Sequence, residues 1–329
     1  MRRRARTVAL AAGLAAAWGC AVVRAPDTSE AARPAWPADE PRVRLERIVA
    51  TPRDVGGGGP FAFLRRRANQ PLFVRPYGVA WEDGALLVTD PGAGRVVRLP
   101  AGGGVEVSGA GGLSNPTGVA VCSFGIVVSD PVAGEVVELD RRLRTVRPLL
   151  RGLARPTGVA CDEHGLVVVE TAAHRLVLRA PDGSTSTFGR RGTGAGEFNY
   201  PTAVALAGHT LLVGDTLNFR VQRFDWPELR FRGSFGELGD AAGEMPRSKG
   251  MAVDVDGHLW LADAHLDQVA LHGADGEFLL AIGAHGSAPG EFDFPAGVAA
   301  APDGRVAVVD SLNRRLEIFR LVGGGGARW

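Results

Sequence analysis

Apolar positions in this chain come in short alternating runs punctuated by turns, and one such pattern returns along its length. From Gly250 to Gly283, "GMAVDV" reads as a strand, "DGH" as a tight turn and "LWLAD" as a second strand. "QVALHG" follows as a third, then "ADG" as a turn and "EFLLAIG" as a fourth. Period-two alternation over a few residues, bounded by turn residues, marks strands rather than helices. Asp-Gly pairs at 182–183, 256–257, 275–276 and 303–304 supply the positive φ that tight hairpins need.

The same unit occurs six times. A Gly-Val-Ala-like start follows Tyr77, Thr117, Thr157, Thr202, Lys249 and Ala296, with alanine or methionine replacing one residue in two copies. A second apolar strand in each copy ends on an acid: Asp90, Asp130, Glu170, Asp215, Asp263 and Asp310. Five residues on stand Arg95, Glu135, Arg175, Arg220, Gln268 and Arg315, followed by a third strand. The acids are spaced by 40, 40, 45, 48 and 47 residues. Repeats of this length with four strands each predict a β-propeller, because a lone four-stranded sheet cannot bury both faces whereas a ring of sheets can. The expected fold is therefore all-β, a six-bladed propeller of antiparallel blades. The sixth copy lacks a fourth strand, and an orphan alternating stretch, "RVRLERIVAT" (42–51), precedes the first. That stretch is expected to complete blade six as its outermost strand and so remove an open edge. Residues 52–75 read as a connector crossing a face of the disc.

Composition agrees: 46 glycines and 7% aromatics favour many short strands with tight turns. The N-terminus stands apart. "MRRRAR" followed by "TVALAAGLAAA" and "AWGC" has the layout of a secretory signal, and its apolar run falls short of the roughly 20 residues that span a bilayer. The ending resembles the bacterial lipobox, with Trp18 and Ala17 departing from it, and this implies lipidation of Cys20; ordinary signal cleavage is the alternative. The division expected is a signal peptide at 1–19, a flexible tether at 20–41, the propeller at 42–321 and a glycine-rich tail at 322–329. Removing Arg2, Arg3, Arg4 and Arg6 turns the formal charge of +1 into about −3. No global field then favours nucleic acid. Cys122 and Cys161 remain in equivalent segments of neighbouring repeats, at offsets differing by one. Alternation points them to opposite faces, so two buried thiols are expected, with a disulfide as the lesser alternative.

The D-x-x-N-x-R motif of "DTLNFR" and "DSLNRR", the Gly-Val-Ala starts, and linkers such as "GRRGTGAGEF" (189–198) and "GAHGSAPGEF" (283–292) together resemble the NHL-repeat family over residues 76–321. Blades one and two depart from it, with "DPGAGR" and "DPVAGE" and no Gly-Glu-Phe linker. The resemblance implies a propeller that serves as a binding platform; some relatives are lactonases or lyases. A motif repeated once per blade is a brace rather than an active site. The bracket residues are Asp90, Arg95, Asp130, Glu170, Arg175, Asp215, Asn218, Arg220, Asp263, Asp310, Asn313 and Arg315. Each acid is expected to accept hydrogen bonds from turn N–H groups and from the arginine fork.

Seven histidines lie on different blades and both faces, where zinc would need three or four converging ligands. The residues expected at the axial mouth, Tyr77, Thr117, Thr157, Thr202, Lys249 and Ala296, include no carboxylate or histidine. Neither a metal nor a cofactor is expected. The first five form the candidate ligand-binding rim. Basic runs at 65–67 and 140–147 are not assigned to nucleic acid, given export and the negative mature charge. The function expected is a non-catalytic binding or assembly scaffold, anchored in the cell envelope by its lipid. It would act as a monomeric propeller and meet an envelope protein or polysaccharide on the disc face opposite the tether. Ala21 after the cysteine resembles outer-membrane sorting. The alternative is a metal-dependent hydrolase or lyase, lactonase-like or lyase-like, with its site on the axis.

Overall fold

A computed structural model describes residues 33–56, 70–109, 112–241 and 243–322. The six repeats form six antiparallel sheets whose inner strands are Val79–Glu82, Val119–Cys122, Pro156–Asp162, Ala203–Ala207, Ser248–Val253 and Pro295–Ala300. Each is followed outward by the strand that ends on the repeated acid, then by a third and a fourth strand. Blade three shows the pattern: Pro156–Asp162, Gly165–Glu170, Arg175–Arg179 and Thr185–Phe188, hydrogen-bonded in that order. The fold is a six-bladed β-propeller. Among the described residues no helix is long and apolar enough to cross a membrane.

The reason for the circle is visible in the second strands. Ala85–Asp90 is buried at every position, so neither of its faces meets water. Leu86 and Val88 pack with Val309 and Leu316 of blade six, whereas Leu87 packs with Ile126 and Val128 of blade two. Successive residues of one strand thus serve successive interfaces. One apolar cluster fills each of the six blade junctions. Burying each such valine or leucine contributes about 1.5–3 kcal/mol.

The repeated glycine has its own cause. The inner strands converge near the axis, and a Cβ on Gly118 would lie 2.2 Å from the carbonyl oxygen of Thr157 in the next blade. At the junction of blades six and one, Gly297 donates its N–H to the Tyr77 carbonyl at 2.8 Å, and a Cβ there would lie 2.5 Å from the same oxygen. Glycine is used because the backbones touch.

Val43–Val49 pairs with Arg315–Leu321, from Val43↔Leu321 to Val49↔Leu316, and so joins the two ends of the chain within blade six. It is not outermost. Ala35–Trp36, inside the stretch read as tether, adds a fifth strand against Val43 and Arg44. Trp36 holds it there, edge-on to Phe319 at 5.8 Å between ring centres. Backbone hydrogen bonds from Arg42 to the Trp36 carbonyl and from Leu45 to the Pro34 carbonyl add to it, in a segment that has no alternation to announce it. Of the connector, residues 51–56 form turns, and Leu72 and Phe73 plug the junction of blades six and one. The signal peptide, Cys20, the "FLRRR" run and residues 323–329 lie outside the described residues.

The cysteine expectation is corrected. Cys122 and Cys161 form a disulfide with Cα atoms 5.7 Å apart, within the usual range. Opposite faces were the right assignment with the wrong consequence. Adjacent blades stack front to back, so the two residues meet across the interface because they sit on opposite faces of equivalent strands. The bond ties blade two to blade three across a separation of 39 residues. A Cys122→Ser/Cys161→Ser double variant should lose about 2–4 kcal/mol of unfolding free energy, read from denaturant titration. An unchanged midpoint would show that the pair contributes no constraint.

Candidate functional site

The repeated acids end up at one per blade, each clamped to the loop that enters its own blade. Asp215 accepts N–H from Asn199 at 2.6 Å, then Asn218 Nδ2 at 2.8 Å, Arg220 Nε at 2.9 Å and Gln222 Nε2 at 3.1 Å. Asp310 accepts from Asp293 N, Asn313 Nδ2 and Arg315 Nε at 2.9, 2.8 and 2.8 Å. Arg315 also donates to the carbonyls of Ser287, Ala288 and Glu291, gathering the linker into the blade. In blade one Asp90 binds the N–H groups of Val74 and Arg75, and Arg95 binds both Asp90 and the Leu72 carbonyl. Glu170 accepts from Ala154 N–H and Arg175 Nε. Where arginine is missing, turn backbone fills in: Asp130 binds N–H groups of Ser114, Asn115, Val132 and Ala133, and Asp263 those of Arg247, His265 and Leu266.

All six blades share one backbone feature at this turn. The fourth residue after each acid is left-handed, with φ between 48° and 65° at Gly94, Gly134, His174, Phe219, Asp267 and Arg314. "DPGAGR" and "DPVAGE" place glycine there, where an L-residue costs roughly 1–2 kcal/mol.

The axial mouth is built from the starts of the inner strands. Tyr77, Thr117, Thr157, Thr202 and Lys249 line a narrow cavity of about 70 Å³, together with the glycines and valines that follow them. The threonine hydroxyls at this mouth are already hydrogen-bonded within the protein. Thr157 Oγ1 donates to the Thr202 carbonyl of the next blade at 2.9 Å and shares a hydrogen with Thr171 Oγ1. Thr202 Oγ1 pairs with Thr216 Oγ1, and Thr117 Oγ1 donates to the Asn115 carbonyl. Strand starts at the axis leave carbonyls that need donors, and the threonines supply them. Tyr77 and Lys249 are the rim residues left without such bonds. Burial pushes the Tyr77 hydroxyl above its ordinary pKa. Burial, with help from Arg247 and Arg155, brings Lys249 down to about 8.

Side-chain clusters that sequence reading missed lie away from the axis. Asp267, His285 and Asp293 come within 4.8 Å of one another at the junction of blades five and six, as do Asp254, Asp256 and His258 in the first turn of blade five. Both first-named acids are already engaged. Asp267 accepts from Phe294 N–H and contacts His285 Nδ1 at 2.9 Å, and Asp254 accepts from two backbone N–H groups and the Trp260 indole. Asp267 lies 18 positions from His285 in the chain, so no local signal announced the first cluster. On the face opposite the bracing turns, a cleft of about 310 Å³ opens between blades six and one, where Arg305 sits over the Trp81 ring at 4.5 Å.

No family model and no curated protein matches the chain. Solved structures do resemble it. Catalytically inactive virginiamycin B lyase from Staphylococcus aureus, with quinupristin, is 14% identical with a TM-score of 0.56, over 75% of this chain and 95% of that one. A gluconolactonase from Xanthomonas campestris is 18% identical with a TM-score of 0.60, over 76% and 87%. An auxiliary nutrient binding protein from Bacteroides thetaiotaomicron is 11% identical with a TM-score of 0.62, over 84% and 76%. What they share with this chain is the propeller. At such identities the fold carries no activity across.

Burial raises two acids of the blade-six bracket, Asp310 and Glu317. Glu317 accepts from Gly290 N–H and pairs with Arg315 at 2.9 Å, and burial raises it from 4.5 to about 8. An acid raised on folding holds a proton that the unfolded chain releases, so its stabilisation is complete below about pH 4.5 and fades as pH rises towards 8. Blade four carries Gln222 at the equivalent place, bound to Gly196 N–H in the same way. Glu317→Gln should therefore gain on the parent chain as pH rises from 5 to 8, by up to about 1.4 kcal/mol per pH unit. Urea unfolding at several pH values measures this, and a pH-independent difference would contradict it.

Proposed function

We propose that this protein is a cell-envelope-anchored, non-catalytic scaffold that uses a propeller face to bind or assemble an envelope protein or polysaccharide. The observation that carries the reading is the donor set. Every repeated acid is occupied by the loop it braces, and the axial cavity is lined by glycine, small apolar residues, threonine, Tyr77, Lys249 and Met251, with no carboxylate or imidazole. Hydrolytic metals of the calcium or zinc type need several such groups converging on one point. The Cys122–Cys161 pairing suits an oxidising compartment, in keeping with the export signal. The nutrient-binding neighbour is a precedent for binding by a disc of this fold. The bracket residues are scaffold in this reading, and Cys20 is the attachment point for lipid.

Fractionation tests the anchoring. Cys20→Ala should move the protein from membrane to soluble fractions, and unchanged retention in the membrane would count against the lipid.

A second reading, a metal-dependent hydrolase or lyase with an axial site, is favoured by the likeness to a lyase and a gluconolactonase. Elemental analysis of the purified protein separates the two. The scaffold reading expects no stoichiometric calcium or zinc; such an ion, with an activity lost on its removal, would establish the enzyme instead.

A further inference from the structure

Around the mouth the propeller carries two concentric rings of equivalent positions. The inner ring is Tyr77, Thr117, Thr157, Thr202, Lys249 and Ala296. Two residues earlier in each blade stands a second ring: Arg75, Asn115, Arg155, Tyr200, Arg247 and Phe294. Arginine occupies alternate blades, one, three and five, and all three arginines are exposed. Lys249 is the only lysine in the chain, and it lines the mouth itself. No position of either ring carries a carboxylate.

The cations are left uncompensated. Among the described residues, ion pairs engage Arg95, Arg98, Arg220, Arg315 and others, but none engages Arg75, Arg155, Arg247 or Lys249. Their fields converge on the mouth: Arg155, Arg247 and Arg75 all act on the Tyr77 hydroxyl, and Arg247 and Arg155 act on Lys249. The acid that acts on Lys249 is Asp263, whose carboxylate is already taken by three backbone N–H groups. Like charges held together around a concave, partly dry centre are relieved by an anion. Four cations ask for more than a single negative charge, and guanidinium forks match oxyanions.

We propose that the mouth is a receptor for a multiply charged oxyanionic group of the phosphate type, held by Arg75, Arg155, Arg247 and Lys249, with the Tyr77 hydroxyl donating. The size of the cavity decides how much enters. About 70 Å³ is far below the roughly 300–1,000 Å³ of a pocket that engulfs a drug-sized ligand. The site therefore grips a terminal group end-on, either free phosphate or the phosphomonoester end of a larger molecule. The inference rests on the binding reading of this face but not on the anchor.

The unique lysine makes the test direct. Amine acetylation of the detergent-solubilised full chain at pH 8 is followed at Lys249 by peptide mass spectrometry. Inorganic phosphate and glycerol 2-phosphate, which represent the free and esterified sources, are titrated at constant ionic strength against chloride and citrate. Phosphate should protect Lys249 better than citrate and chloride. Protection by glycerol 2-phosphate as well assigns an esterified end group; protection by inorganic phosphate alone assigns the free ion. In Arg155→Gln/Arg247→Gln, whose exposed positions leave folding intact as judged by Tm, the protecting concentration should rise roughly tenfold or more. Absence of phosphate protection, equal protection by citrate, or an unshifted titration in the double variant would each overturn the proposal. Membrane release of Cys20→Ala is read independently, so loss of the phosphate site and loss of the anchored-scaffold reading remain separate results.

Discussion

Each blade is a sheet with apolar residues on both faces, so it is stable only between two others. This requirement for burial on both sides determines nearly everything else in the molecule. It closes the ring, because an end blade would expose one of its faces. It also brings the two ends of the chain together, with Val43–Val49 laid against Arg315–Leu321 and Trp36 sealing the edge. At the axis the inner strands crowd until backbone meets backbone, and glycine becomes the residue that fits at Gly118 and Gly297. Stacking front to back also decides which side chains meet, as the disulfide between blades two and three shows.

Polar chemistry fills the places where burial alone would leave the backbone unsatisfied. The linkers between blades have few ladder bonds of their own, and the bracket acids supply acceptors for their N–H groups while the arginines supply donors for their carbonyls. A carboxylate buried in this way is stabilising only when fully bonded. That accounts for the crowd of donors around Asp215 and Asp310, and for the backbone N–H groups that replace arginine at Asp130 and Asp263. Burial still acts on the acids of blade six: it raises Asp310 and, beside Arg315 deep in a junction, raises Glu317 to about 8.

The same accounting bears on function. Residues that look reactive in the sequence are committed to structure, and so are the threonines at the mouth. The exposed arginines two positions before the inner strands, with Lys249 and Tyr77, are left over. Their charge is not cancelled locally, and that is the feature of the face that a scaffold alone does not require.

Periodicity made the repeat, the strand number, the closing strand and the bracket legible, because each depends on local alternation or on identity between copies. Other features depend on what faces what once the ring is closed. The meeting of Cys122 with Cys161, the capture of the threonine hydroxyls by neighbouring carbonyls, and the Asp267–His285–Asp293 cluster all join different blades or distant loops. The strand at Ala35–Trp36 is held by pairing with Val43 and Arg44 and by the packing of Trp36 on Phe319, contacts made across the closed blade. The sequence by itself determined how many sheets there are and where the strands and turns of each fall, since these follow from residue order. Which opposite faces touch, and which charges are left unpaired at the axis, only the tertiary structure decided, because contact across a blade junction has no counterpart in spacing along the chain.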